Sequence, residues 1–81
     1  MSEQGKTTEY KGKYYPSWHG SPFDRGSADS YYQRGEDPHY WPEGTYKGLR
    51  VEANEMTPEE VEAYYAGFNY NESMLNYKDW G

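Results

Sequence analysis

The chain has almost nothing aliphatic to fold around. Its only leucines and valines are Leu49, Leu75, Val51 and Val61, and isoleucine is absent. Against these stand eleven tyrosines, three tryptophans, Phe23 and Phe68. So few aliphatic residues, with a net charge of −6, is ordinarily the composition of a disordered chain. Each large ring, however, can bury roughly 150–250 Å² while its polar tip reaches water. Any core must therefore be thin and made of rings and methionine. A chain of 81 residues buries only about 60% of its unfolded surface, which leaves little room for a deep catalytic cleft. The other use of so much tyrosine and tryptophan is a contact surface, because these side chains combine area with a small entropy cost.

The absence of cysteine excludes disulfide staples and thiolate metal sites and favours a reducing compartment. The start, MSEQGKTTEY, has no apolar run, and nowhere do eighteen apolar residues follow one another. Neither a signal peptide nor a membrane span is expected, and the chain reads as a cytoplasmic protein. Acidity is concentrated late, where residues 51–81 carry seven acids against Lys78 alone. A generic nucleic-acid binder shows the opposite balance, so duplex DNA is disfavoured as a partner.

From residue 1 to 20 the composition is Gly, Lys, Thr, Ser and Tyr without helical or strand period, which predicts a flexible arm. Its rings, Tyr10, Tyr14, Tyr15 and Trp18, are unusual for an idle tail. Residues 21–81 form the single small domain. A first helix is predicted over 22–34: Ser21 as N-cap, Pro22 at the first position, Asp24 in the first turn and Gly35 as the stop. Gly26 and Ser30 make a small strip that admits another backbone. A second helix is predicted over 57–70, where Thr57, Pro58 and Glu60 spell a capping box. Val61, Tyr64, Tyr65 and Phe68 supply its apolar face and leave Glu55, Glu59 and Glu62 as an acidic face. Between the helices, TYKGLRVE partly alternates and reads as a short strand or hairpin. The expected fold is mainly α: a two-helix hairpin with an irregular or short β-hairpin connection and a flexible N-terminal arm. The closing SMLNYKDWG is expected to dock as a last turn or two.

The densest chemistry lies in DRGSADSYYQRGEDPHYWP, residues 24–42. Asp24, Asp29, Arg34, Asp37 and His39 could meet at one end of the first helix, yet catalysis needs a water-excluding pocket that so short a chain hardly supplies. Asp24 and Asp29 lie about 140° apart around a helix, so they do not share a face. Arg25 and Asp29 do, as an i, i+4 surface ion pair. The only histidines, His19 and His39, sit in different loops without metal-ligand spacing, and phosphate-cradling glycine loops are missing. No cofactor and no metal is expected.

SPFDRGSADSYYQRGEDPHYWP, MTPEEVEAYYAGFNYNE and the final KDWG together resemble a group of small tailed-bacteriophage proteins. Their shared pattern is D-R-G-x-A-D-x-Y-Y-x-R, then P-H, then L/M-T-P-E-E and Y-x-A-G. The resemblance covers residues 21–81 and implies a phage accessory product acting in the host bacterial cytoplasm, but it implies no particular chemistry. AYYAGF is also similar to the Gly-Tyr-x-Ala-Gly element of ribosome modulation factor, a small ribosome-binding protein; those proteins are strongly basic, whereas this chain is acidic. The reading that follows is a non-enzymatic module that binds a host protein or complex through Tyr32, Arg34, His39, Tyr40 and Trp41. Three other readings remain open: a ribosome- or RNA-associated factor using Arg34 and Arg50, an acidic nucleic-acid mimic acting through Glu55, Glu59 and Glu62, and, least favoured, an enzyme whose turnover would need Asp24 and His39.

Overall fold

The computed structural model describes residues 6–45 and 47–74. The elements run β1 (Thr7–Tyr10), β2 (Lys13–Pro16), α1 (Pro22–Tyr31), β3 (His39–Tyr40), β4 (Val51–Glu52), a 3-10 turn (Ala53–Glu55) and α2 (Pro58–Met74). Both sheets are antiparallel pairs, β1 with β2 and β3 with β4. The fold is therefore α+β, not mainly α.

The largest correction concerns the segment expected to be a flexible arm, which folds as the β1–β2 hairpin. Its register pairs Tyr10 with Lys13 across Lys11-Gly12. Both turn residues have positive φ, 53° and 80°, as the twist-matched two-residue hairpin turn requires, and Gly12 adopts that region without strain. The hairpin lays its inward rings on the helices. Tyr15 stacks on Phe23 at 5.5 Å between ring centres, and Tyr10 meets Tyr70 edge-on at 6.0 Å. Together with Ala63 and Ala66 these rings are the apolar core, which confirms how little of it is aliphatic.

α1 begins as expected, with Ser21 Oγ accepting from the Asp24 amide at 3.2 Å and proline in the first turn. It ends at Tyr31, earlier than Gly35. The Arg34 amide donates to Asp29 O and the Gln33 amide to Ser30 O, a paired closure around Gln33, whose φ is 58°. α2 starts on the predicted capping box, Glu60 N to Thr57 Oγ1 at 3.1 Å and Thr57 N to Glu60 Oε1 at 2.9 Å. It runs on to Met74, because its last turns have polar work against α1: Asn71 Nδ2 donates to Ser30 Oγ at 3.0 Å, and Ser30 Oγ to Glu72 at 2.6 Å.

The helices cross at two glycines. A Cβ on Gly26 would stand 1.9 Å from the Tyr64 carbonyl oxygen, and one on Gly67 would stand 2.0 Å from that of Phe23. Backbone thus packs on backbone, and the buried stripe of α2 is Ala63, Tyr64, Ala66, Gly67 and Asn71. Val61, Tyr65 and Phe68, expected to lead the apolar face, are only half-buried, because the close crossing displaces large side chains to its flanks. The predicted connection is a hairpin of a different kind: β4 pairs with β3, His39 opposite Glu52 and Tyr40 opposite Val51. The closing segment from residue 75 onward lies outside the described residues.

Candidate functional site

Two concave places compete as the site, and each is built from the sequence around α1. The smaller is a cavity of about 140 Å³ lined by Arg25, Asp29, Arg34, Asp37, His39, Trp41 and Arg50. Its centre is Asp29, which is 2% exposed. The early closure of α1 turns the chain back so that Arg34 Nη1 lies 3.2 Å from Asp29 Oδ1. From α2 the Tyr64 hydroxyl donates a short hydrogen bond to Asp29 Oδ2 and accepts from the Asp37 amide at 2.8 Å. Burial, then the Asp29 carboxylate, push the Tyr64 hydroxyl far above the ordinary tyrosine range.

His39, 4% exposed, is held from both ring nitrogens: Nδ1 is 2.6 Å from Asp37 O, and Nε2 faces Arg25 Nε at 3.5 Å. These partners assign the Nδ1–H tautomer. Arg25 also reaches Thr45 Oγ1 at 3.3 Å, while Arg50 lies 2.7 Å from Asp37 Oδ2 and 2.9 Å from Glu52 Oε2. Arg25 and Asp29, expected as an exposed surface pair, are both buried. The cluster spends its charges on itself and replaces the missing aliphatic core with polar contacts. Removing one of its deeply buried charges, Arg25 or Asp29, costs about 3–5 kcal/mol, because it strands the charges it faces.

The larger place is an open groove of about 500 Å³ on the other side of β3. Four segments build it. The hairpin contributes Lys13, Tyr14, Tyr15 and Pro16, and the link to α1 contributes Trp18 and Pro22. Tyr40 and Pro42 come from β3 and the turn after it, and α2 closes the side with Glu59, Glu60 and Ala63. Gly20 makes this convergence possible. With φ of 97° it accepts a 2.7 Å bond from the Trp41 amide, and a Cβ there would stand 2.6 Å from Trp41 O, so only glycine lets the Tyr40–Pro42 segment reach Trp18. Tyr15 and Ala63 are buried, whereas Tyr14 is 68% exposed.

Charge on the groove is acidic but partly balanced. Glu62, just outside the lining, accepts from Lys13 Nζ and Tyr15 Oη, each at 2.8 Å. Lys13, then Tyr15, hold the Glu62 carboxyl below its ordinary value, and Glu62 raises the Lys13 ammonium. Burial, then Glu62, raise the Tyr15 hydroxyl; burial, then Glu60, do the same to Tyr40. Glu60 is thus engaged by Tyr40 and by the helix cap, and Glu59 is the exposed carboxylate of the lining.

The structure divides the expected contact residues between the two places. Tyr40 lines the groove; Arg34, His39 and Trp41 line the small cavity. His39, expected to be presented to a partner, is interior because its strand pairs with β4 and both ring nitrogens are used. Tyr32 packs under the Arg34 guanidinium, 4.6 Å from its ring centre. Of the acidic face, Glu59 lines the groove, Glu62 sits beside it, and Glu55 accepts from the Glu52 amide at 3.5 Å in the 3-10 turn. Tyr14, Trp18 and Lys13 were not named as contact residues, though the density of rings in a supposed arm was the signal for the first two; Glu60, expected in the capping box beside the acidic face, lines the groove as well. Among the described residues no helix is long and apolar enough to cross a membrane. Compared with protein-family models, curated proteins and solved structures, the chain matches none.

Proposed function

We propose that the chain is a non-enzymatic protein-binding module, a phage accessory protein that binds and modulates a host protein or complex in the bacterial cytoplasm, with the aromatic groove as its contact surface. The observation that carries this reading is Tyr14, a ring left 68% exposed at a groove of about 500 Å³ that also gathers Tyr15, Tyr40, Trp18 and three prolines beside Glu59 and Glu60. A ring in water adds little to folding, whereas tyrosine and tryptophan beside a desolvated pocket are the usual anchors of an interface. The inward-turned polar cluster supports the non-enzymatic part, since His39 and Asp29 are buried and serve each other's neighbours. The phage setting rests on the resemblance of residues 21–81.

A second reading, the acidic nucleic-acid mimic, is favoured by the exposure of Glu55, Glu59 and Glu62 around the start of α2. The RNA-associated reading draws less support, because the guanidiniums of Arg34 and Arg50 face Asp29, Asp37 and Glu52. Capture of partners from nuclease-treated bacterial lysate by the tagged chain separates the readings. A stoichiometric protein retained by wild type and lost with Tyr14→Ala supports the groove. A basic nucleic-acid-binding protein lost with Glu62→Lys but kept with Tyr14→Ala supports the mimic. Partners that disappear with nuclease overturn both.

A further inference from the structure

Resting on the groove as the contact surface, we infer that its occupant is an extended, proline-containing segment that carries arginine or lysine and binds as a polyproline helix. The lining decides the shape. Tyr14, Trp18, Tyr40, Pro16 and Pro42 present flat rings and pyrrolidine faces from three separate segments, and such walls pack against the ridges of a chain with three residues per turn. A polyproline helix has no internal hydrogen bonds, so its carbonyls are open to donors of the kind Tyr14 and Trp18 bring to the lining. Being stiff before it binds, it also loses little entropy on docking. A strand added to β2 is a poorer occupant, since β2 has four residues and its last, Pro16, offers no amide donor.

Charge decides the sequence of that segment. The lining holds Glu59 and Glu60 against Lys13 alone, and Lys13 is paired with Glu62 at 2.8 Å. With Glu60 engaged by Tyr40 and the helix cap, Glu59 is the carboxylate placed to meet a cation on the occupant. The −6 charge of the whole chain acts in the same direction and raises the encounter rate of a basic segment.

The test is fluorescence anisotropy on the full chain with three labelled peptides: a proline-rich peptide ending in two arginines, the same peptide ending in two glutamates, and an arginine-ended alanine–glycine peptide. The arginine-ended proline peptide is expected to bind about 10-fold tighter than either control, with Tyr14→Ala removing about 10-fold of that affinity. Glu59→Lys reverses the preference between the two proline peptides. Tyr14 is exposed and Glu59 lies on the surface, so both variants keep the fold, which circular dichroism verifies. Equal binding of all three peptides, tighter binding of the proline-free one, or indifference to Tyr14→Ala overturns the inference. If the lysate partner is still lost with Tyr14→Ala while the peptides fail, the binding module stands and only this occupant falls; if neither effect occurs, both readings fall.

Discussion

Replacing Gly26 by alanine sets two effects of opposite sign against each other. In an exposed helix interior the change stabilises by about 1 kcal/mol, because alanine is the better helix former. Here the new Cβ would lie 1.9 Å from the Tyr64 carbonyl oxygen and 2.9 Å from the Phe68 amide nitrogen, and both obstacles are backbone. Relaxing a carbon–oxygen contact to about 3.3 Å requires α1 and α2 to part by roughly 1.4 Å. Gaps of half that size already forfeit about a quarter of the dispersion energy at the interface. The same displacement loosens Gly67 against Phe23 and the Tyr64 hydroxyl against Asp29. Overpacking of this kind costs about 1–3 kcal/mol or more, and with a rigid obstacle the upper end applies. Set against the propensity gain, the expected net loss is about 2 kcal/mol, a large share of the roughly 4–12 kcal/mol open to 81 residues. For a domain of this size that is a fall in Tm of about 8–16 °C. Thermal and urea unfolding followed by circular dichroism measure it. Gly67→Ala should act alike, and the double variant should lose less than the two single losses together, because helices already parted accept the second methyl more cheaply. A Gly26→Ala protein as stable as wild type would refute the crossing described above.

Two further predictions concern titration. Tyr64 has its folded-state pKa raised above the unfolded value of 10.0, so its stabilising contribution is complete below pH 10 and is lost as pH climbs above it, by up to about 1.4 kcal/mol per pH unit. Urea unfolding across that range should show this slope in wild type and a clearly shallower one in Tyr64→Phe. Tyr15 and Tyr40, shifted the same way, supply the remainder. Glu62 is depressed chiefly by Lys13, so Lys13→Ala should move the carboxyl titration of Glu62 upward, read by NMR, with hardly any change in stability because both groups are exposed. An unmoved titration would mean that the pair does not persist in water.

Local signals made the helices legible. Ser21-Pro22 and Thr57-Pro58-Glu59-Glu60 carry their caps within a few residues, and the caps form as those residues predict. The helix ends were harder. Gln33 stops α1 in a left-handed conformation that its side chain does not announce, and α2 is prolonged by Ser30, Asn71 and Glu72, partners about forty residues apart. The hairpin was missed because its strands have four residues each and hold one deeply buried ring, Tyr15, too little for a period to emerge. Its turn was nevertheless written in the chain, since Gly12 is the residue that takes the positive φ of such a turn without strain.

The site was half legible for a reason rooted in composition. In a chain with few aliphatic residues, polar and aromatic side chains must serve both as core and as surface, so residue type alone does not separate the two roles. His39, Tyr40 and Trp41 are consecutive rings in one short segment, and Trp41 is of the same type as Trp18, yet His39 and Trp41 line a polar interior while Tyr40 and Trp18 line an open groove. What separates them is β3. Successive side chains on a strand point to opposite faces, so His39 turns toward Arg25 and Asp29 while Tyr40 turns toward Glu60 and Trp18. That strand exists only because Val51 and Glu52 return to pair with it, across a connection whose path the residues alone do not announce. The short stretch from Asp24 to Pro42 therefore does two jobs at once: one face of it locks the helices through Asp29, bonded to Tyr64, and the other, through Tyr40 and Pro42, completes the aromatic groove.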